Sequence, residues 1–249
     1  MNAAFTSIGI VGTGAMGRGI AQIAAQAGST VYLFDTKPGA VDAARTHLHG
    51  QWQRLADKGR IDATQVPVLL ERLVRAASLH DLAACELVVE AIAERLDAKR
   101  ELLLELEYIV APGAVLASNT SSLSITALAA PLTHPQRVAG FHFFNPVPLM
   151  KVVEVVAGLR TEAVVCARLA QYARAMGHTP VRAQDTPGFI VNHAGRGFGT
   201  EALRIVSEGV ADFATMDRIL RDQAGFKLGP FELMDLTALD VTHPAMESI

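Results

Sequence analysis

The sequence predicts an α/β fold: a doubly wound, mostly parallel sheet covered on both faces, followed by an all-helical C-terminal lobe. Three observations predict it. Short apolar runs alternate with helical patterns through most of the chain, as strand–helix–strand units require. The strand signal stops after Asp185-Thr186-Pro187-Gly188, and only helical periodicity follows. A glycine-rich turn joins the first strand to the first helix, at the kind of place where open α/β sheets take up ligands.

Taken in order, Ser7–Val11 and Thr30–Phe34 are expected as strands, separated by the turn and a helix of roughly ten residues that ends at Gly28. Pro38 begins a long helical segment through Leu55, and residues 62–76 form a second helical pattern. Residues 86–92 (ELVVEAI) are the next strand, Leu96–Ile109 an amphipathic helix, and 114–117 another strand. Further strands are expected at 137–143, 151–156 and 179–182, with a helix over 162–176 between the last two. Residues 189–207, 215–223 and 230–239 read as helices. The expected domains are therefore 1–186, the sheet domain, and 187–249, the helical lobe.

The composition excludes several classes of function. Of 249 residues, 50% are apolar and 19% charged, which is ample for a buried core and excludes a disordered chain. Twenty-two basic against 25 acidic side chains leave a formal charge of -3, so no general basic field attracts nucleic acid or anionic lipid. There is no apolar run long enough for a membrane span. The first sixteen residues are uncharged but lack the basic start of a signal peptide, and their glycines belong to the turn. Cys85 and Cys166, far apart and outside any CxxC, read as buried thiols of a reducing compartment, with the cytoplasm as default.

Gly12-Thr13-Gly14-Ala15-Met16-Gly17 is a GxGxxG placed directly after a strand and opening a helix. The first glycine permits the tight turn, the second lets a pyrophosphate approach the backbone, and the third lets helix and strand pack closely. Unpaired N–H groups at the helix start, including those of Ala15 and Met16, favour phosphate charge. Asp35 lies 18 positions after Gly17, at the end of the second strand, where a carboxylate accepts from the adenosine ribose hydroxyls and repels a 2′-phosphate. The pattern therefore favours NAD over NADP.

Two later segments end predicted strands. Ser118-Asn119-Thr120-Ser121-Ser122 fits equally an N-capping cluster for a helix starting near Leu123 and a ligand site. In Phe141-His142-Phe143-Phe144-Asn145-Pro146 the histidine by itself reads as a core residue. Glu154, 12 positions on in the apolar run Val152-Val153-Glu154-Val155-Val156, changes that reading. A buried glutamate is costly without a partner. A His142–Glu154 pair would satisfy it and fix the imidazole tautomer, as a base for alcohol oxidation requires. No zinc-type ligand set is present, which disfavours a metal-dependent alcohol dehydrogenase.

At these residues the sequence resembles the 3-hydroxyacyl-CoA dehydrogenase family. The similarity runs through 12–17, 118–123, 142–148, 150–155 and 185–192 to Leu228-Gly229-Pro230-Phe231-Glu232-Leu233, in family order and spacing. It implies a Rossmann-like NAD domain, a helical lobe that forms a homodimer, and an acyl-CoA substrate bound between them. It also implies site roles. His142 would be the general base, Glu154 its orienting partner, and Ser121 a hydrogen-bond donor to the reacting oxygen near the nicotinamide. Asn192 would contact the same substrate region. Glu94, Lys99 and Asn145 match positions that hold the ribose and nicotinamide, and Lys58 matches a lysine that approaches the CoA. From the residues alone, Glu94 and Lys99 read as solvated helix charges, and Lys58 reads equally as a surface charge.

The chain departs from the family pattern at His193, where arginine is usual, and at Gly195, Gly197 and Gly199. Interior glycines cost roughly 1 kcal/mol each, so that helix is expected to be kinked or mobile. The sequence stops at Ile249, where family members continue, so the lobe is expected to be incomplete and the dimer dependent on its completion. Residues 94–96 and 223–226 resemble members that oxidise a 3-hydroxyadipyl-type CoA ester, whose second carboxylate would want a cation such as Arg60, Lys58 or Arg196. Two other functions fit the same residues: an NAD-dependent dehydrogenase of a free hydroxy acid or sugar acid, and an NAD-binding protein without turnover.

Overall fold

The structure is a computed structural model that describes residues 5–237 and Leu239. The chain divides between Asp185 and Thr186 into two compact units. The first is built on one eight-stranded sheet in the order β3-β2-β1-β4-β5-β6-β7-β8. Its strands are β1 Ser7–Val11, β2 Thr30–Phe34, β3 Leu73–Arg75, β4 Leu87–Glu90, β5 Val115–Ser118, β6 Val138–Phe143, β7 Val152–Ala157 and β8 Thr179–Gln184. Neighbours from β3 to β6 run parallel, while β7 is antiparallel to β6 and parallel to β8. Helices α1 Ala15–Gln26, α2 Ala40–Asp57, α3 Gln65–Glu71, α4 Leu96–Ile109, α5 Ile125–Ala129 and α6 Ala163–Ala175 connect them.

Every residue of β4, β5 and β6 is buried, which is why these strands read as continuous apolar runs rather than as alternating ones. From β1 the chain winds outward through β2 and β3, then returns to place β4 on the other side of β1. The winding direction reverses there, and the carboxyl ends of β1 and β4 open a crevice between the diverging loops. The loop that turns β6 back into β7 is pinned from beneath by His178. Its two ring nitrogens lie 3.0 and 3.1 Å from the carbonyl oxygens of Val147 and Met176.

The structure corrects three local expectations. Residues 62–76 are not one helix: α3 ends at Glu71 and β3 follows, pairing Leu73 with Val31 of β2. A strand of three residues is too short to show its own periodicity. The pairing is set by β2, and by Arg72, which donates to the Ala25 carbonyl at the end of α1. The helix after the SNTSS segment is capped by Ser124, just outside that cluster, through acceptance from the Ala127 N–H.

The third correction concerns the second unit, which contains α7 Val191–Ser207, α8 Phe213–Asp222 and α9 Pro230–Thr237. Helix α7 is continuous through Gly195, Gly197 and Gly199, not interrupted by them. A Cβ at 195 or 197 would meet nothing, whereas one at 199 would press on the Met234 methyl at 2.9 Å, so one of the three serves a close helix approach. Residues of the expected last helix beyond Thr237, Leu239 apart, lie outside the described residues. Among the described residues no helix is long and apolar enough to cross a membrane.

Trp52 on α2 is fully buried in the core beneath the sheet. Trp52→Ala is expected to cost about 3–5 kcal/mol, read as a fall in urea-unfolding stability by circular dichroism.

Candidate active site

Strand β1 delivers the chain to Gly12, whose φ of 92° lies in the left-handed region. A Cβ at Gly12 would approach the Ala91 carbonyl oxygen to 2.5 Å, and one at Gly17 would sit 1.8 Å from the Gly12 carbonyl oxygen. These two glycines are required by the protein's own backbone. Gly14 differs: it is exposed, precedes the first turn of α1, and a Cβ there would meet nothing within 4 Å. It leaves open the approach to the helix start, where the N–H groups of Ala15 and Met16 are among those without an intrahelical acceptor.

Asp35 stands at the end of β2, against this turn. Its Oδ2 accepts from the Thr13 N–H at 2.7 Å and the Thr13 hydroxyl at 2.9 Å, and its Oδ1 from the Lys37 N–H at 2.9 Å. Partial burial pushes the carboxyl pKa up, but these donors and the Lys37 charge outweigh it and hold the pKa below its ordinary 3.8. Gly12, Gly14, Asp35, Ala93 and Leu102 line a groove of about 590 Å³ over the ends of β1, β2 and β4. An open glycine approach, a helix N-terminus and a flanking carboxylate are the features an adenine dinucleotide needs, and the residues present fit NAD.

On the other side of the turn, the ends of β4 and β5 hold a buried polar network. Glu90 is fully buried: Oε1 accepts from Lys99 Nζ at 2.6 Å and the Ile92 N–H at 2.7 Å, and Oε2 from the Ser118 hydroxyl at 2.5 Å. Lys99, 1% exposed, also pairs with Glu94 Oε2 at 3.1 Å. Glu94 Oε1 accepts from the Thr120 hydroxyl, the Ser121 N–H and the Ser122 hydroxyl. Burial raises the Glu94 pKa, yet the Lys99 charge and these donors more than offset it and lower the pKa overall. Lys99 is not the solvated helix charge that the residues alone suggested, and Glu94, partly exposed, lies before α4 and is held by these donors. Thr120 does a turn residue's work as well, since its hydroxyl accepts from the Ser122 and Leu123 N–H groups.

His142 and Glu154 face each other directly across the antiparallel pair β6 and β7. His142 Nδ1 lies 2.6 Å from Glu154 Oε2, with the carboxylate fully buried and the histidine 4% exposed. The Phe144 ring covers the imidazole at 4.5 Å between centroids. Asn119 joins the ends of β5 and β6 by accepting from the Phe143 N–H at 3.0 Å. Asn145, next along the chain, is exposed.

The first unit thus brings Gly12, Gly14, Ala15, Met16, Gly17, Asp35, Glu94, Lys99, Ser121, His142 and Asn145 to the carboxyl ends of its parallel strands, with Glu154 beside His142 from the antiparallel β7. It does not bring Lys58 into these networks: that lysine is the exposed C-cap of α2. Asn192 lies in the first turn of α7, in the second unit. The sequence reading missed Glu90, Ser118 and Asn119 as individual contributors. Glu90 carried a usable signal, the same one that singled out Glu154: a carboxylate inside an apolar strand.

Comparisons with known proteins bear on the fold that carries these residues. The family model described as "3-hydroxyacyl-CoA dehydrogenase, NAD binding domain" matches residues 7–186, and the one for that family's C-terminal domain matches 188–249. A 3-hydroxyadipyl-CoA dehydrogenase of Escherichia coli is 44% identical over 98% of this chain and 51% of its own length. The chain spans about half the length of that relative. A 3-hydroxybutyryl-CoA dehydrogenase of Bradyrhizobium diazoefficiens is 35% identical over 99% of this chain and 84% of its own. The crystal structure of a 3-hydroxybutyryl-CoA dehydrogenase from Escherichia coli K12 superposes with a TM-score of 0.96 at 42% identity, covering 100% of this chain and 52% of that one.

Because the folded Asp35 pKa lies below the unfolded one, its contribution to stability is complete above the ordinary value of 3.8 and is lost as pH falls through the lower folded value. Asp35→Asn is therefore expected to destabilise the protein more at pH 7 than at pH 3, as measured by urea unfolding at the two pH values.

Proposed function

The chain belongs to the 3-hydroxyacyl-CoA dehydrogenase family, and from that premise we propose that it oxidises the (S)-3-hydroxyl of an acyl-CoA to a ketone, reversibly and with NAD. The observation that carries this reading is the buried 2.6 Å contact between His142 Nδ1 and Glu154 Oε2. With the Nδ1 proton donated to Glu154, Nε2 carries the lone pair and takes the proton of the substrate hydroxyl. The ring then becomes an imidazolium, and the ionised Glu154 beside it stabilises that charge without moving. In the reverse direction His142 returns the proton to the oxygen. NAD, when bound, supplies the acceptor for the hydride that leaves C3.

Ser121 donates to the reacting oxygen, where charge changes during the reaction. Asp35 receives the adenosine ribose, the N–H groups of Ala15 and Met16 the pyrophosphate, and Glu94 and Asn145 the nicotinamide half. Lys58 and Asn192 are assigned to the CoA and the substrate by resemblance alone. A 3-hydroxyadipyl group is the acyl chain we favour. Residues 94–96 and 223–226 support it, as does the name of the 44% identical relative. A homodimer in the cytoplasm completes the proposal, supported by family resemblance and by the two buried free thiols Cys85 and Cys166.

NADH oxidation followed by absorbance tests the reading with acetoacetyl-CoA and free acetoacetate. The CoA ester is expected to react much faster, and His142→Ala to lower kcat by about 10²–10⁴-fold. Equal rates on the two substrates would overturn the CoA assignment, and equal rates for the parent and the alanine variant would overturn the base. Lys58→Ala is expected to raise KM for the CoA ester and leave NADH binding unchanged.

A further inference from the structure

We infer that His178 is a positioning residue for the reaction: by donating from both ring nitrogens it holds the loop between β6 and β7, and through that loop it sets Asn145. The inference rests on the NAD-dependent reading above, in which Asn145 meets the nicotinamide half.

His178 is 4% exposed and stands just before β8. Its Nδ1 lies 3.1 Å from the Met176 carbonyl oxygen and its Nε2 3.0 Å from the Val147 carbonyl oxygen. A carbonyl only accepts, and a neutral imidazole donates from one nitrogen alone. Both contacts are hydrogen bonds only when both nitrogens carry hydrogen, as in the imidazolium. The bond to Val147 is then charge-assisted, which makes it a stronger tie than a neutral one. The ring is itself well placed. The His178 N–H donates to the Ala173 carbonyl at 2.9 Å, and the Phe143 ring meets the imidazole at 78°, 5.5 Å between centroids.

The span that this tie holds is short. Phe143, at the end of β6, is fixed through its N–H to Asn119 Oδ1 at 3.0 Å, and Val147 through its carbonyl to His178. Only Phe144, Asn145 and Pro146 lie between the two ties. Beyond them the turn closes on itself, because the Pro146 carbonyl accepts from the Leu149 and Met150 N–H groups at 2.9 and 3.0 Å. Val147 is 1% exposed, and its side chain lies so close to α1 that a Cβ at Gly19 would come within 2.8 Å of the Val147 Cβ. Val147 is thus held by His178 at its backbone and by the cofactor helix at its side chain. Asn145 is exposed, so its place is set by these ties on either side rather than by burial of its own side chain. Removing the His178 donors leaves the span hydrogen-bonded at Phe143 alone.

Calorimetric binding of NADH and of AMP to the full chain tests this. His178→Leu removes both donors, and His178→Lys supplies an ammonium that donates and cannot accept. Each is made with and without Asn145→Ala. His178→Leu is expected to weaken NADH binding about tenfold when Asn145 is present and by less than about twofold when it is already alanine. His178→Lys is expected to stay within about threefold of the parent. AMP, which engages the Asp35 side, is expected to change by less than about twofold in every variant. Should His178→Leu fail to fold, Gly19→Ala presses on Val147 from α1 and is expected to give the same Asn145-dependent loss. Equal NADH losses in both Asn145 backgrounds would overturn the inference, as would a lysine variant no better than the leucine one. Parallel losses of NADH and AMP would reduce His178 to a structural role and overturn it too. A parent chain that binds no NADH would sink the NAD reading itself, and this inference with it.

Discussion

A carboxylate inside a sheet that is covered on both faces cannot lean on water, and the cost of removing it from water is several kcal/mol unless donors fill its oxygens. Glu90 on β4 and Glu154 on β7 are both fully buried, and the arrangement of the first unit around its strand ends follows from satisfying them. Glu154 draws His142 into direct register across β6 and β7. Glu90 gathers Lys99 from α4, Ser118 from β5 and the backbone of Ile92. His142 stands near the carboxyl end of β6 and Ser118 at that of β5, where open α/β sheets bind ligands. Satisfying the interior and preparing the site are one act of packing.

The same constraint bears on how a chain of formal charge -3 takes up anionic ligands. Lys99 is no attractor for phosphate, because it faces two carboxylates. Asp35 and Glu94 are both held ionised, the first by the donors of Thr13 and Lys37, the second by Lys99 and the 120–122 turn. In the proposed reading the start of α1, with the open approach at Gly14, receives the pyrophosphate charge. In that reading, carboxylates select ribose hydroxyls and backbone N–H groups receive phosphate, and the separation of the two keeps like charges apart.

Asp185, the last residue of the first unit, repeats the pattern in a structural setting. Its carboxylate accepts from the Ile125 and Thr126 N–H groups and the Ser124 hydroxyl. This ties the end of β8 to the start of α5. In the second unit Asp217 plays a comparable part, accepting from the Phe231 N–H, and it lies so close to Gly229 that a Cβ there would clash with its backbone and side chain.

The alternation of strands and helices, the limits of α4, the glycine turn with Asp35, and the pairing of His142 with Glu154 were legible in the sequence. Each rests on something local or on a single energetic demand: the period of a helix or strand, the steric need for glycine, or the cost of one buried charge. Tertiary structure alone decided that Leu73–Arg75 becomes an edge strand, that Ser124 rather than the SNTSS cluster caps α5, and that α7 runs unbroken through its glycines. It alone decided that Lys99 is sealed between two glutamates. Periodicity is a property of neighbouring residues. Whether a charged side chain is solvated or enclosed depends on which distant elements close over it, and for Lys99 those are the ends of β4 and β5, which adjacent positions in the chain do not reveal.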